Sequence, residues 1–483
     1  MAETLAETSA ENSQGKLRSS GPLLAANLLE ALLPFARNIA LARLISPEEF
    51  GLAVSLSVVM GIIEVLTDFG LPIFAVRKTT PVPPTVLMGT LQSLALVRAS
   101  VLALILVAIS PFVARAFHAG DSAGIYALLG LIAFLRGFEN FGVKEMMRRY
   151  VFWREAVVLG SAQVVGVAVT VAIAAAAGGF ACMIWGMLAT TLTTVLLSHL
   201  LSPLPYRLAW NRAAARDAAS FGRPLVVNGM AVALGLSDRV LVGSVLGPTL
   251  LAFYNVAYGT ATLPRTVLAK FLTSAFLPLF VEHRERGGAS SLFDTWAWCL
   301  SCLAFTYGLG LSLVGDRILA LVFSAAYQPS RLFMCLAGMS VCVKFLMLLP
   351  VPAAYASGNT RLVTCGSVLS ALSIVPGAAC LAWQRNLDLF LLAVTLTEFA
   401  ALILYGTMAM REQAFTRTAA WLAIAVPVTL LAALAATTLA QPQLTPGAWF
   451  LACGLALLVS VAAYGAMILR FRIGLRVLIS NSA

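Results

Sequence analysis

Stretches of mainly apolar residues, each long enough to cross a bilayer, recur from one end of this chain to the other. A helix needs about 20 such residues to span roughly 30 Å of hydrocarbon. With that ruler the predicted spans are 22–45, 50–76, 86–112, 122–146, 153–177, 180–202, 222–246, 249–281, 292–323, 330–356, 361–383, 387–410, 418–440 and 447–469. Hydrophobic residues make up 60% of the sequence and charged residues 11%, and mean hydropathy is +0.91. The surface of a water-soluble domain would need far more charge. The fold class predicted is an all-α polytopic membrane protein with about 14 transmembrane helices.

The basic residues fix an orientation. Of 32 Lys and Arg, twenty fall in the termini and every second gap; only Arg43, Arg115, Arg317, Arg331 and Arg385 lie in the gaps between those. Basic residues collect on the cytoplasmic side. Both termini are therefore expected in the cytoplasm of a multi-pass inner-membrane protein, with an even number of spans. The net charge of +11 follows from the same asymmetry. It favours anionic lipid headgroups over nucleic acid, because the cations are spread over eight short segments. Residues 1–21 are polar and lack the order of a signal peptide, so the first span is expected to be retained.

Two segments echo each other. Arg37–Gly51 reads RNIALARLISPEEFG, and Asp238–Ala252 reads DRVLVGSVLGPTLLA, which sets Pro47 against Pro248 and Gly51 against Ala252. Each is a charged helix, a turn carrying Pro, and another apolar helix. Six spans precede the Arg-rich gap after residue 202 and six follow it. Matched halves about a substrate site are a known transporter design. The expected organisation is a tail (1–21), a six-helix bundle (22–202), a linker (203–221), a second six-helix bundle (222–410), two peripheral helices (411–471) and a tail (472–483). No gap is long enough for an extramembrane domain.

Charges at bilayer depth are costly and mark function by default. The basic set is Arg37, Arg98, Arg136, Arg239, Arg265, Lys270 and Lys344; the acidic set is Glu30, Glu64, Asp68, Glu139, Asp238 and Glu398. Arg136 and Glu139 are spaced for a local salt bridge. Glu30, Glu64, Asp68 and Asp238 are candidates for ion coupling or for structural pairing. Glu30 shares a helix face with Arg37, with Pro34 between them. Arg265 and Lys270 have no acidic residue between Asp238 and Glu282 to pair with, and Lys344 has none nearby. A phosphate suits them, since Arg offers a planar fork of donors and Lys a point charge.

Several chemistries have no motif here. There is no G-x-x-x-x-G-K-[ST], H-E-x-x-H or G-x-S-x-G, and the three His are scattered. The pair Cys299 and Cys302 lies one turn apart in an apolar run with no second ligand pair, and reads as helix packing. No enzyme activity, cofactor or metal is expected.

The stretch Arg37–Val76, with ARLISPEEFGL at 42–52 and LTDFGL at 66–71, resembles the opening hairpin of bacterial polysaccharide-export flippases. These belong to the multidrug/oligosaccharidyl-lipid/polysaccharide exporter superfamily. DRVLVG at 238–243 and Gly247-Pro248 are similar to the family's second half. The resemblance implies two six-helix bundles forming a V around a central cavity, with alternating access and cavity cations at Arg37, Arg239 and Arg265. It implies transport of undecaprenyl-diphosphate-linked oligosaccharide for exopolysaccharide, lipopolysaccharide O-antigen or capsule. The polymerase and export machinery of that pathway would be partners. The rival readings are a cation-coupled drug antiporter of the same fold and, further off, a membrane glycan polymerase or ligase.

Overall fold

The computed structural model describes residues 26 and 28–440, except 68, 77–81, 149–150, 273–288, 357–359 and 412–415. Every regular element among them is helical. Among the described residues, ten helices are long and apolar enough to cross a membrane. Four predicted spans are not in that set, for separate reasons. The first is described only over 28–44 and the last, 447–469, lies outside the described residues. The fourth is broken in two, and the eighth contains a π-helical turn and runs into 273–288.

The chain divides into two compact units, Met1–Ala252 and Phe253–Ala483. The first holds α1 (28–44), α2 (Pro47–Leu66), α3 (Leu71–Val76), α4 (Pro84–Ala116), α5 (Ala123–Arg136), α6 (Gly142–Arg148), α7 (Trp153–Ala177), α8 (Cys182–Leu200), α9 (Arg212–Gly235) and α10 (Ser237–Leu246). Helix α11 (Pro248–Tyr254) straddles the division. In the second unit a π-helical turn at Asn255–Gly259 leads into α12 (Thr260–Phe271). There follow α13 (Ala289–Val322), α14 (Arg331–Leu346), α15 (Val351–Ala356), α16 (Thr360–Leu372), α17 (Ile374–Gln384), α18 (Leu387–Arg411) and α19 (Arg417–Ala440).

Local chemistry explains the boundaries. Ser46 caps α2 by accepting from the Glu49 amide at 3.3 Å, Pro47 takes the first helical position, and Glu48 and Glu49 complement the helix dipole. Asn211 caps α9 in the same way, accepting from the Ala214 amide at 3.0 Å. That cap starts the helix at Arg212, inside the predicted linker. Span 50–76 breaks because Gly70 adopts φ +63°, a conformation an L side chain resists, and Leu225 fills the space a Cβ would need.

Packing in the first unit relies on small residues, as expected where lipid and side chains are equally apolar. Thr170 Oγ1 donates to the Gly166 carbonyl of its own helix at 2.7 Å, and Thr190 Oγ1 to Gly186 at 3.0 Å. Gly166 meets Thr190 and Gly186 meets Thr170, so α7 and α8 lock reciprocally. Gly51 sits against the backbone of Pro248, which brings together the two turns that the sequence echo aligned. In the second unit α13, α14, α18 and α19 share a core that includes Leu300, Val341, Leu402 and Leu430. Helix α19 buries Ala419, Leu422 and Leu430 there and exposes Trp421, Ile424, Val428 and Leu431 on its other face.

Candidate functional site

Among the described residues, charged side chains from several helices gather in each unit. In the first unit a cavity of about 410 Å³ is lined by residues of several helices. Glu30 reaches it from α1, Glu64 from α2, Arg98 from α4, Arg136 from the end of α5, Glu139 from the following turn, and Lys144 from α6. Gln163, Thr190 and Thr194 add neutral polar groups. Arg136 pairs with Glu64. Lys144 pairs with Glu155 of α7 and stands 3.6 Å from Glu139. Arg98 Nη2 donates to the Glu64 carbonyl and to Thr67 Oγ1, both at 3.3 Å.

This arrangement corrects the expected Arg136–Glu139 bridge. Helix α5 ends at Arg136, so the three-residue spacing no longer sets both side chains on one helix face. Each finds a partner from another element instead. Three carboxylates (Glu30, Glu64 and Glu139) and three cations (Arg98, Arg136 and Lys144) line the cavity, and Glu155 joins them through Lys144. Charges of both signs can thus be buried together, each compensated by a neighbour.

In the second unit the π-helical turn presents Tyr258 to α14 and α18. Tyr258 Oη and Ser340 Oγ are 2.7 Å apart, and Ser340 Oγ donates to Glu398 Oε2 at 2.7 Å. Glu398, 1% exposed, receives Lys344 Nζ on its other oxygen at 3.0 Å. The Lys344 ammonium also lies 5.0 Å from the centre of the Tyr258 ring. Arg265, half-buried on α12, donates from Nε to the Lys344 carbonyl at 3.1 Å. Among the described residues no carboxylate pairs with Arg265. Glu398 thus pairs with Lys344 and not with Arg265, and Arg265 retains donors for an anion.

The other predicted residues fall as follows. Arg37 lies in α1 close to Cys182, and its Nε is buried with no hydrogen-bond partner. Asp238 accepts from the Arg239 amide at 2.7 Å, at the start of α10. Lys270 lies in α12, and Asp68 lies outside the described residues. The structure therefore brings Glu30 and Glu64 together in one unit, and Arg265 and Lys344 together in the other. Lys344 is not the unpartnered cation that its sequence neighbourhood suggests, because Glu398 reaches it from 54 residues away. Sequence reasoning gave no role to Glu155, Tyr258 or Ser340. Their partners are remote in the chain, and only the cost of burying charge signalled that partners must exist. Among the described residues no group of His, Cys, Asp and Glu is placed to hold a metal ion.

Comparison with known proteins agrees with this architecture. A polysaccharide biosynthesis protein family model matches residues 40–332. No curated protein matches the sequence. The lipid II flippase MurJ in an inward closed conformation is similar in fold, with a TM-score of 0.68 at 10% identity, covering 93% of this chain and 99% of that one. A multidrug resistance MATE family transporter of the MOP superfamily, inward-facing, gives 0.58 at 13% identity over 84% of this chain and 95% of that one. A MOP superfamily transporter from Pyrococcus furiosus gives 0.51 at 13% identity over 84% and 96%. These likenesses establish the fold, and the family model spans more than half of the chain: the chain belongs to the polysaccharide biosynthesis protein family.

Proposed function

We propose that this protein is a flippase that carries undecaprenyl-diphosphate-linked oligosaccharide repeat units across the bacterial inner membrane by alternating access. The observation that carries the reading is the family match over residues 40–332 on a chain with the fold of a lipid II flippase. The diphosphate would engage Arg265, which Lys344 would orient through its carbonyl; Arg37, Arg239 and Lys270 are separate candidate cations for the substrate. An arginine fork suits two phosphate oxygens, and an unpaired guanidinium at bilayer depth has reason to attract one. Both termini would be cytoplasmic, following the basic residues. An anion leaving an inside-negative cell gains about 2.3 kcal/mol per charge per 100 mV, which helps export without ATP. Glu30 and Glu64 of the first unit's cavity would take the counter-ion; Asp68 and Asp238 remain candidates for the same role.

A second reading, a cation-coupled small-molecule antiporter, is favoured by the carboxylates of that cavity and by the likeness to a MATE transporter. A deletion strain separates the two. A flippase predicts lipid-linked glycan stranded on the cytoplasmic face, restored to normal by the wild-type gene and not by Arg265→Ala at equal membrane level. Normal glycan export with heightened sensitivity to toxic cations would support the antiporter instead.

A further inference from the structure

The segment between α8 and α9 is stitched to the first unit by its backbone. The Arg207 amide donates to Gln92 Oε1 at 3.3 Å, the Ala209 amide to the Gly89 carbonyl at 3.2 Å, and the Asn211 amide to Thr90 Oγ1 at 3.2 Å. Ser93 Oγ donates to the Ala209 carbonyl at 2.9 Å. Odd-numbered residues therefore hold the strap against α4. Between those bonded residues the side chains of Leu208 and Trp210 are 56% and 62% exposed.

Helix α9 follows directly on the strap. Arg212, Arg216 and Arg223 are exposed, and at about 100° per residue they fall within an arc of roughly 40°. Ala214 and Ala218 point the opposite way, into a core with Leu71, Phe74, Leu87 and Met88. None of the three Arg pairs with an acid among the described residues.

Three features place this face at headgroup level. Helix α4 has 33 residues, about 50 Å, some 20 Å longer than the hydrocarbon is thick, so turns at its ends extend beyond it, and the strap bonds to its first three turns. The apolar window of the α9–α10 span begins only at Gly229. Trp153, 47% exposed, opens α7 at the same end, and its neighbour Arg154 donates from Nη1 to the Leu201 carbonyl at 2.8 Å. Exposed Trp residues mark the membrane interface.

We propose that Leu208, Trp210, Arg212, Arg216 and Arg223 form a docking surface for the anionic phospholipid headgroups of the leaflet on the basic side. The apolar pair enters the headgroup–acyl boundary and the guanidinium groups take lipid phosphates. Charge complementarity selects this occupant: three aligned cations flank two apolar side chains that a rigid strap holds outward. The surface lies outside the charge networks of both units, so it does not depend on what the protein transports.

The test uses the full chain in nanodiscs of equal parts phosphatidylcholine and phosphatidylglycerol, with brominated acyl chains on one lipid or the other. The Trp210 signal is the wild-type fluorescence less that of Trp210→Phe. Brominated phosphatidylglycerol is expected to quench it several-fold more than brominated phosphatidylcholine. That preference should fall up to roughly fivefold for each of Arg212→Gln, Arg216→Gln and Arg223→Gln. Asp217→Asn, on the exposed flank of α9, guards against variants that fail to fold: it should raise the preference. Free glycerol phosphate should not compete. Equal quenching by the two lipids, a preference unchanged in the triple Gln variant, or a Trp210 signal quenched by neither lipid would overturn the proposal; the last would assign the patch to water or to a protein partner.

Discussion

Arg265 and Lys344 are joined by one hydrogen bond, yet their surroundings give them different roles. Lys344 lies against Glu398, and that carboxylate also holds Ser340 and, through it, Tyr258. Removing one member of a buried pair leaves the other uncompensated, at about 3–5 kcal/mol. Glu398→Ala should therefore lower the unfolding temperature in detergent sharply. Lys344→Met combined with Glu398→Leu should recover most of the loss. Arg265→Gln gives up a bond to a backbone carbonyl, so its cost in stability should be about 1 kcal/mol. Its effect should appear in transport. A larger loss of stability from Arg265→Gln than from Glu398→Ala would contradict this division of roles.

At the scale of elements, the helices were legible and their breaks were not. Apolar length announces a span, but the end of α2 depends on the backbone conformation of one glycine and on what lies against it. Gly70→Ala should cost roughly 1–2 kcal/mol from the left-handed conformation alone, before the clash with Leu225 is counted. Gly51→Val should be worse, because the obstacle is the Pro248 backbone rather than a mobile side-chain end. Thermal unfolding and membrane yield of the two variants check the order; Gly51→Val tolerated as well as Gly70→Ala would refute it. The faces of the helices were equally hidden. Along α19 both the buried Leu430 and the exposed Leu431 are leucines, because lipid and protein core select the same residue types. Periodicity, which separates inside from outside in water, is silent there.

At the scale of the molecule, the alternation of basic gaps, the helical class and the echo of the two Pro-bearing turns could be read from the chain. The ion pairs could not, since their partners are far apart in sequence: Glu64 with Arg136, Lys344 with Glu398. The balance of intramembrane acids and bases announced that pairing was needed, and only packing decides who pairs. Arg265, left without a carboxylate among the described residues, is therefore where the account of transport is most exposed. The most direct test is movement of a fluorescent undecaprenyl-diphosphate oligosaccharide across vesicles containing the purified protein, followed by loss of signal to a membrane-impermeant quencher. The expected result is a protein-dependent crossing that an applied potential speeds in the direction favouring the anion and that Arg265→Ala abolishes in a folded variant. Crossing by Arg265→Ala at the wild-type rate, or none by the wild type, would contradict it.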